Sequence, residues 1–296
     1  MICFISHDRG GSEYLYEYIK KYKIKKKIFC LKGPAYKFFK TKIKNLKNFS
    51  IINIKKYKIK KIITSTSFIN FHHIEGIKFA KKEKIQSYSI LDDWNDYKKR
   101  FTYNKKLFLP NYIIVYNKYA HKLAKSDFPN QKIILLEDLF LKNIIKKLNI
   151  KKKKKRLPKN SKYSRILYLS DPIELNTSSK SKMKLYNEKN VISYMCKNIY
   201  KIAKNYKITV RMHPKCIKDK LIIKKYFKMN NLKINFSNKK NLISDILDHD
   251  IILGCETQAL IPAHYSKKRV FCVIPNYVKK ENKLKHLKIK ELRNIK

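Results

Sequence analysis

Four short groups of residues in this chain have the types and spacing to do chemistry. The first is His7-Asp8-Arg9-Gly10-Gly11-Ser12, directly after the apolar run Ile2–Ser6. Two glycines let a backbone pass close to a ligand, and the helix N-terminus that follows favours an anionic or hydroxyl-rich group. The order is not the G-x-G-x-x-G of a dinucleotide site, which disfavours NAD. A plain tight turn is the competing account. The second group is Asp92-Asp93-Trp94, at the end of Tyr88–Leu91. Adjacent carboxylates repel, so one should be held partly protonated, with a raised pKa suited to a general base. Trp94 offers an apolar wall or a face to stack on a sugar. Asp93 is equally suited to cap the helix after it, and one carboxylate can take each role.

The third group is Arg211-Met212-His213-Pro214-Lys215, where the β-branched run Ile208–Val210 ends. Pro214 cannot donate to a ladder and stops the strand. Arg211 and Lys215 pair with phosphate and His213 can donate to it; the alternative is a surface turn in a lysine-rich protein. The fourth is Gly254-Cys255-Glu256-Thr257-Gln258 after Ile251–Leu253. There the amides of a following helix, with the Thr257 hydroxyl, would make an anion cradle, against an ordinary strand-to-helix turn. One strand-helix-strand unit separates it from His213-Pro214, which favours a shared phosphate site.

All four groups stand at strand tips, so the elements before them matter. The pattern predicts strands at 2–6, 28–31, 51–54, 62–65, 88–91, 112–116 and 133–136. Between them it predicts helices from Ser12 (the expected cap), after Gly33-Pro34, over 74–84, near 96–105 and over 118–125. Residues 141–164 are dominated by cations, with Lys151 to Arg156 consecutive. Like-charge blocks stay solvated, so this reads as an interdomain linker after a frayed helix. The alternation restarts with strands at 166–169 (ending in Ser170-Asp171-Pro172), 208–212, 234–236, 251–253 and 270–274. Helices are expected at 191–204, 217–229, 242–247 and from Thr257 toward Tyr265. Strands alternating with helices imply parallel sheets covered on both faces. The expectation is an α/β protein of two Rossmann-like domains facing across a cleft: an N-terminal domain at 1–140, the basic linker at 141–164, and a C-terminal domain with a basic tail at 165–296.

Composition bounds the partners. The 72 Lys+Arg against 21 Asp+Glu give a net charge of +51. Such a field attracts nucleic acid, anionic lipid or phosphorylated substrates. The excess is mostly lysine, spread throughout with much Ile, Asn, Tyr and Phe, which is the mark of codon drift toward A and T. Aromatic residues lie within apolar segments and are not interleaved on one basic face, which argues against nucleic acid. Anionic lipid attracts basic clusters, leaving peripheral membrane contact open. No apolar run approaches the ~20 residues of a membrane span. The six cysteines form no C-x-x-C pair and read as structural thiols in a reducing compartment. His72-His73 and Glu75 lack a second half of a zinc site, and Ile2–Ile5 is too short for a signal peptide core. A cytoplasmic protein without metal or cofactor is expected.

Asp92-Asp93, then Arg211-Met212-His213-Pro214, then Gly254-Cys255-Glu256-Thr257, in that order, resembles bacterial GT-B glycosyltransferases. The pattern is most similar to sialyltransferase- and polysialyltransferase-like enzymes of surface-polysaccharide synthesis. The segment Leu91–Phe101 also resembles one in capsule and surface-carbohydrate proteins. The resemblance implies a transferase carrying a sugar from a nucleotide-activated donor to a glycan or lipid-linked glycan acceptor, by metal-independent single displacement. Asp93, or Asp92, would be the catalytic base. His213 would bind the donor phosphate and assist the leaving nucleotide, with Arg211, Lys215, Gly254 and Thr257 on the same phosphate. Glu256 and Asp171 would grip ribose or sugar hydroxyls, and His7, Asp8, Gly10, Gly11 and Trp94 would hold the acceptor. Trp94 stands where those enzymes have glycine, and Glu256-Thr257 where they have two hydroxyl residues, so the donor stays open. A non-hydrolysing nucleotide-sugar epimerase, a basic nucleic-acid-binding protein and a relative that folds without catalysing are the competing readings.

Overall fold

The computed structural model describes residues 1–68, 70–94, 96–154, 162–171, 173, 186–239, 241–279, 282 and 284–295. The chain packs as two units, Met1–Lys142 and Asn143–Lys296.

The first unit is built on strands β1 (Ile2–Ser6), β2 (Lys27–Leu31), β3 (Lys61–Ser65), β4 (Gln86–Ile90), β7 (Tyr112–Val115) and β8 (Lys132–Leu135). They lie in the order β2-β1-β3-β4-β7-β8, all parallel. Near-continuous apolar runs are what a sheet buried on both faces requires. Within β1, Phe4 points into a core with Leu15, Ile19, Phe29 and Phe39, while Cys3 and Ile5 point into another with Ile28, Ile62 and Ala80. Helices α1 (Arg9–Lys21) and α2 (Gly33–Lys40) supply the first core. α3 (His72–Lys82) closes the other face, and α5 (Lys118–Asp127) packs there with Ile113 and Val115. The strand order reverses between β1 and β3, and in open α/β sheets ligands bind outside the carboxyl ends at such a point.

Four expectations differ here. Residues 51–54 are not a strand; Ile52–Lys56 forms a 3-10 turn with Ile54 buried and Ile52 in solvent. The free edge of β2 is already covered, because the Asn48 side chain bonds both main-chain groups of Leu31, at 2.7 and 3.0 Å. Residues 96–105 give only one helical turn, α4 (Tyr97–Arg100), followed by the hairpin β5 (Thr102–Tyr103) and β6 (Lys106–Leu107). Asn104 and Lys105 both have positive φ, as a two-residue primed turn demands. Third, the basic stretch begins as a 16-residue helix, α6 (Leu139–Lys154). Leu141, Ile144, Ile145 and Leu148 recur at helical spacing, and Leu148 is buried. Residues 155–161 of the expected linker lie outside the described residues. Ser12 does not cap α1 either; it sits inside the first turn, with Asp8 at the cap position.

The second unit carries β9 (Ser164–Leu169), β10 (Tyr206–Arg211), β11 (Ile234–Phe236), β12 (Ile251–Gly254), β13 (Arg269–Cys272) and β14 (Lys290–Glu291). The order is β11-β10-β9-β12-β13-β14, again all parallel. The two-residue β14 was not expected; it pairs only with the end of β13. Its helices are α7 (Glu188–Asn198), α8 (Lys220–Lys228), α9 (Leu242–Asp248) and α10 (Leu260–Tyr265). Asn187 caps α7 in a reciprocal box with Asn190. The reversal falls between β9 and β12, which sets Ser170-Asp171 beside Gly254-Cys255.

Candidate functional site

In the first unit the carboxylate pair is held by a residue the sequence gave no role. Arg100, on α4, is buried and reaches both: Nη1 donates to Asp92 Oδ1 at 3.2 Å and Nη2 to Asp93 Oδ2 at 3.1 Å. Nη1 also donates to Thr66 Oγ1 at 3.0 Å, and Phe68 lies 4.1 Å from the guanidinium. Only the planar fork of arginine spans two carboxylates and stacks on a ring at once. His73, on α3, donates Nε2–H to the Arg100 carbonyl at 2.7 Å and fixes that turn. Burial pulls the His73 pKa down to about 4, so it is neutral beside the guanidinium.

Asp92 is the carboxylate with the raised pKa. Burial is the largest cause and Arg100 opposes it, with Asp93 and Asp8 adding negative field; the result is about 6. Asp93 is less covered and does not cap a helix. Its Oδ1 accepts the Trp94 amide at 2.6 Å, and Asp96 occupies the cap position of α4. Trp94 packs against the core cluster that holds Leu91, Tyr97 and Val115, and its ring meets Tyr119 edge-on at 6.4 Å, forming an apolar wall.

Gly10 and Gly11 come to the same place for a different reason than expected. They lie inside α1, and a Cβ at Gly10 would sit 2.8 Å from Asp92 Oδ2, while one at Gly11 would sit 2.4 Å from Ser65 Cβ. The glycines let α1 approach the carboxylate itself, whereas the sequence suggested approach to a ligand. Ser6 Oγ ties this floor together, 2.7 Å from Ser12 Oγ and 2.6 Å from Ser65 Oγ. His7 Nδ1 lies 2.7 Å from Asp8 Oδ1. Elsewhere, His72 is 2.8 Å from Glu75 and 3.1 Å from the Cys30 carbonyl.

In the second unit, the third and fourth groups and the Ser170-Asp171 tip lie at the carboxyl edge of β10, β12 and β9. The amide of His213 donates to Ser170 Oγ at 2.8 Å, and the amide of Ser170 donates to the Arg211 carbonyl at 3.1 Å. Arg211 itself is already spent: Nη1 is bonded to the buried Asp245 of α9 and, at 3.1 Å, to the Lys239 carbonyl. Ser237 Oγ donates to the same Asp245 carboxylate at 2.7 Å. The charge of Arg211 is thus met by an acid of α9, which any phosphate bound there would share. The side chain of Lys215 lies outside the described residues.

Gly254 lies in β12, and a Cβ there would come 3.0 Å from Thr257 Cγ2. Thr257 is buried, and its Oγ1 accepts the Ala259 amide at 3.4 Å. The helix expected after Gly254-Cys255-Glu256-Thr257 starts only at Leu260 and has 6 residues, so a turn stands between the tip and the helix amides. Glu256 accepts the Tyr186 hydroxyl at 3.1 Å, which fixes it at the tip. Asp171 stands close enough to add to the field that raises the Cys255 pKa, after burial and Cys272. A cavity of about 1120 Å³ opens at the start of β13. Its cations are partly tied down: Lys201 bonds the Ile295 carbonyl and Arg269 the Ile202 carbonyl. Volume alone does not mark a site there. Among the described residues, no three His, Cys, Asp or Glu side chains gather as a metal site, and no helix is long and apolar enough to cross a membrane.

Two open parallel sheets, each with charged tips at its point of reversal, are the two-unit α/β architecture called GT-B. No protein-family model matches the chain, and no curated protein matches it in sequence. Solved structures match in fold. UDP-GlcNAc 2-epimerase from Methanocaldococcus jannaschii superposes with a TM-score of 0.59 at 15% identity, covering 92% of this chain and 83% of that one. The S. aureus MnaA–UDP complex gives 0.61 at 12% identity over 92% and 79%. MurG from Acinetobacter baumannii gives 0.52 at 7% identity over 100% and 86%.

Proposed function

We propose that the chain transfers a glycosyl group from a nucleotide-activated sugar to a hydroxyl of a surface-glycan acceptor, in one displacement. The observation that carries this reading is the Asp92–Arg100–Asp93 cluster. A buried carboxylate with a pKa near 6 is poised to take a proton at neutral pH, and Arg100 and Gly10 hold it in place. Asp92 is the base in this scheme and Asp93 its companion on the guanidinium. Trp94, with His7 and Asp8, lines the acceptor side. The second unit takes the nucleotide at the point of reversal between β9 and β12, where open α/β sheets bind ligands. His213 and the Thr257 hydroxyl meet the leaving phosphate, and Glu256 and Asp171 take donor hydroxyls. Hydrogen-bond donors and a histidine meet the departing charge, so the scheme calls for no divalent ion. The order of the acidic pair, His213-Pro214 and Glu256-Thr257 is what supports sialyltransferase-like surface-polysaccharide chemistry within this class.

A melting panel of CMP, CDP, UDP, GDP and TDP tests the donor half. The right nucleotide at a hundred times its Kd is expected to stabilise the fold by about 2.7 kcal/mol, and His213→Ala to lower that nucleotide's affinity and the turnover together. A flat panel would sink the reading. Conversion of a nucleotide sugar without any acceptor would replace it with epimerisation.

A further inference from the structure

The first unit carries a groove that the reaction scheme does not use. It has a volume of about 650 Å³ and lies between the later turns of α3 and the β5–β6 hairpin. Its apolar side chains are Ile77, Leu107, Phe108 and Leu109. Its rim is Lys78, Lys81, Lys82 and Lys106, all exposed, with no carboxylate in the lining. The acids of α3 and its end face other partners: Glu75 lies 3.3 Å from Lys32, and Glu83 3.7 Å from Lys55. Leu107 is 50% exposed although it sits beside a groove that could have covered it. Lys78 Nζ lies 4.3 Å from the Phe108 ring centre and 4.9 Å from that of Tyr103, so its stem follows aromatic surface while its charge stays at the rim.

We propose that this groove and hairpin dock on an anionic phospholipid surface. Apolar groups rimmed by cations match a leaflet, which presents anionic headgroups over an apolar interior. A second copy of this chain is excluded as occupant by charge, since each carries +51. Nucleic acid or an acidic peptide would meet the lysines but gain little from Leu107. The two-residue turn at Asn104-Lys105 is the rigid kind that can carry Leu107 forward. Resting on the reading above, this makes the acceptor lipid-borne: α3 carries His73, which holds Arg100, at one end and the lysine rim at the other. Those two points are separated by roughly 12 Å of helix.

The test uses the full chain with vesicles of phosphatidylcholine alone or mixed with phosphatidylglycerol, without nucleotide, so that absent transferase activity cannot disturb it. In Leu107→Trp, emission beyond that of Trp94, the sole native tryptophan, is expected to shift to the blue and be quenched by brominated lipid on anionic vesicles only. The combined change Lys78→Glu, Lys81→Glu and Lys106→Glu is expected to weaken vesicle binding by at least a hundredfold, about fivefold for each lysine lost. Lys224→Glu, Lys225→Glu and Lys228→Glu, on the exposed face of α8, should change it far less. Equal losses from both triple variants would overturn the proposal. So would co-sedimentation with unshifted emission from the introduced indole, which would assign binding to lysines elsewhere, as for RNA.

Discussion

Arg100→Met is expected to destabilise the protein by about 3–5 kcal/mol, the usual consequence of breaking a buried ion pair from one side. The guanidinium is 5% exposed and faces two adjacent carboxylates. Methionine fills much of the volume but removes the cation from both, so Asp92 and Asp93 repel across a largely buried site. Urea unfolding at pH 8 measures the loss. Adding Asp92→Asn to the same chain should recover most of it, because the repulsion then has only one charged member. Arg100→Lys should recover little, since an ammonium cannot bridge both carboxylates and Thr66. A midpoint for Arg100→Met equal to the parent's would mean that the pair carries no energetic weight and that the site has been misread.

Asp92→Asn alone should move activity and stability in opposite directions. As the base, Asp92 is worth on the order of 10²–10⁴ in turnover, so the variant should be nearly inactive while its nucleotide affinity is unchanged. Its stability should rise at neutral pH. Burial lifts the Asp92 pKa from 3.8 to about 6, so the folded state holds this proton more tightly than the unfolded chain does. Folding is therefore most favoured, for this group, below pH 4; the advantage is lost as pH rises to about 6, and above that the ionised form carries its full penalty. Two units correspond to roughly 3 kcal/mol at most, so Asp92→Asn should gain about 1–3 kcal/mol at pH 8 and nothing at pH 4. The parent's kcat/KM should fall below about pH 6 as the base protonates. Retained turnover in Asp92→Asn would remove this residue from the chemistry. Asp93→Asn should cost less, because Asp93 is the more exposed of the two and its Oδ1 is held by the Trp94 amide.

Arg100 was legible in one respect that a motif search passes over. The chain has seven arginines among 72 cationic residues, so lysine fills almost every position that asks only for charge. Five of the seven arginines hold carboxylates, Arg9 at the surface and the others in less exposed places. Arg100 spans two carboxylates, Arg165 grips Asp250 through Nε and Nη2, Arg211 holds Asp245, and Arg293 holds Glu291. Tyr186 and Ser170 left no such signal. Each matters because of what a neighbouring strand or turn brings to it.

Apolar runs at strand length, alternating with helical periodicity, were enough to imply parallel sheets, because strands covered on both faces are mostly apolar; β4 keeps Ser87 and Ser89 buried by bonding them to Asn111 and Thr64. The tips fell correctly for the same reason: charge has to begin where burial ends. Sequence also suggested, from the repulsion of adjacent carboxylates, that one of the two aspartates would carry a raised pKa, although burial is the larger cause. Which one was decided only by folding, for burial of Asp92 against Gly10 and the reach of a guanidinium eight residues on are through-space facts. The curl of residues 52–56, the hairpin after Arg100 and the capture of Arg211 by Asp245 were likewise set by what each segment finds beside it, and a linear pattern holds no record of those neighbours.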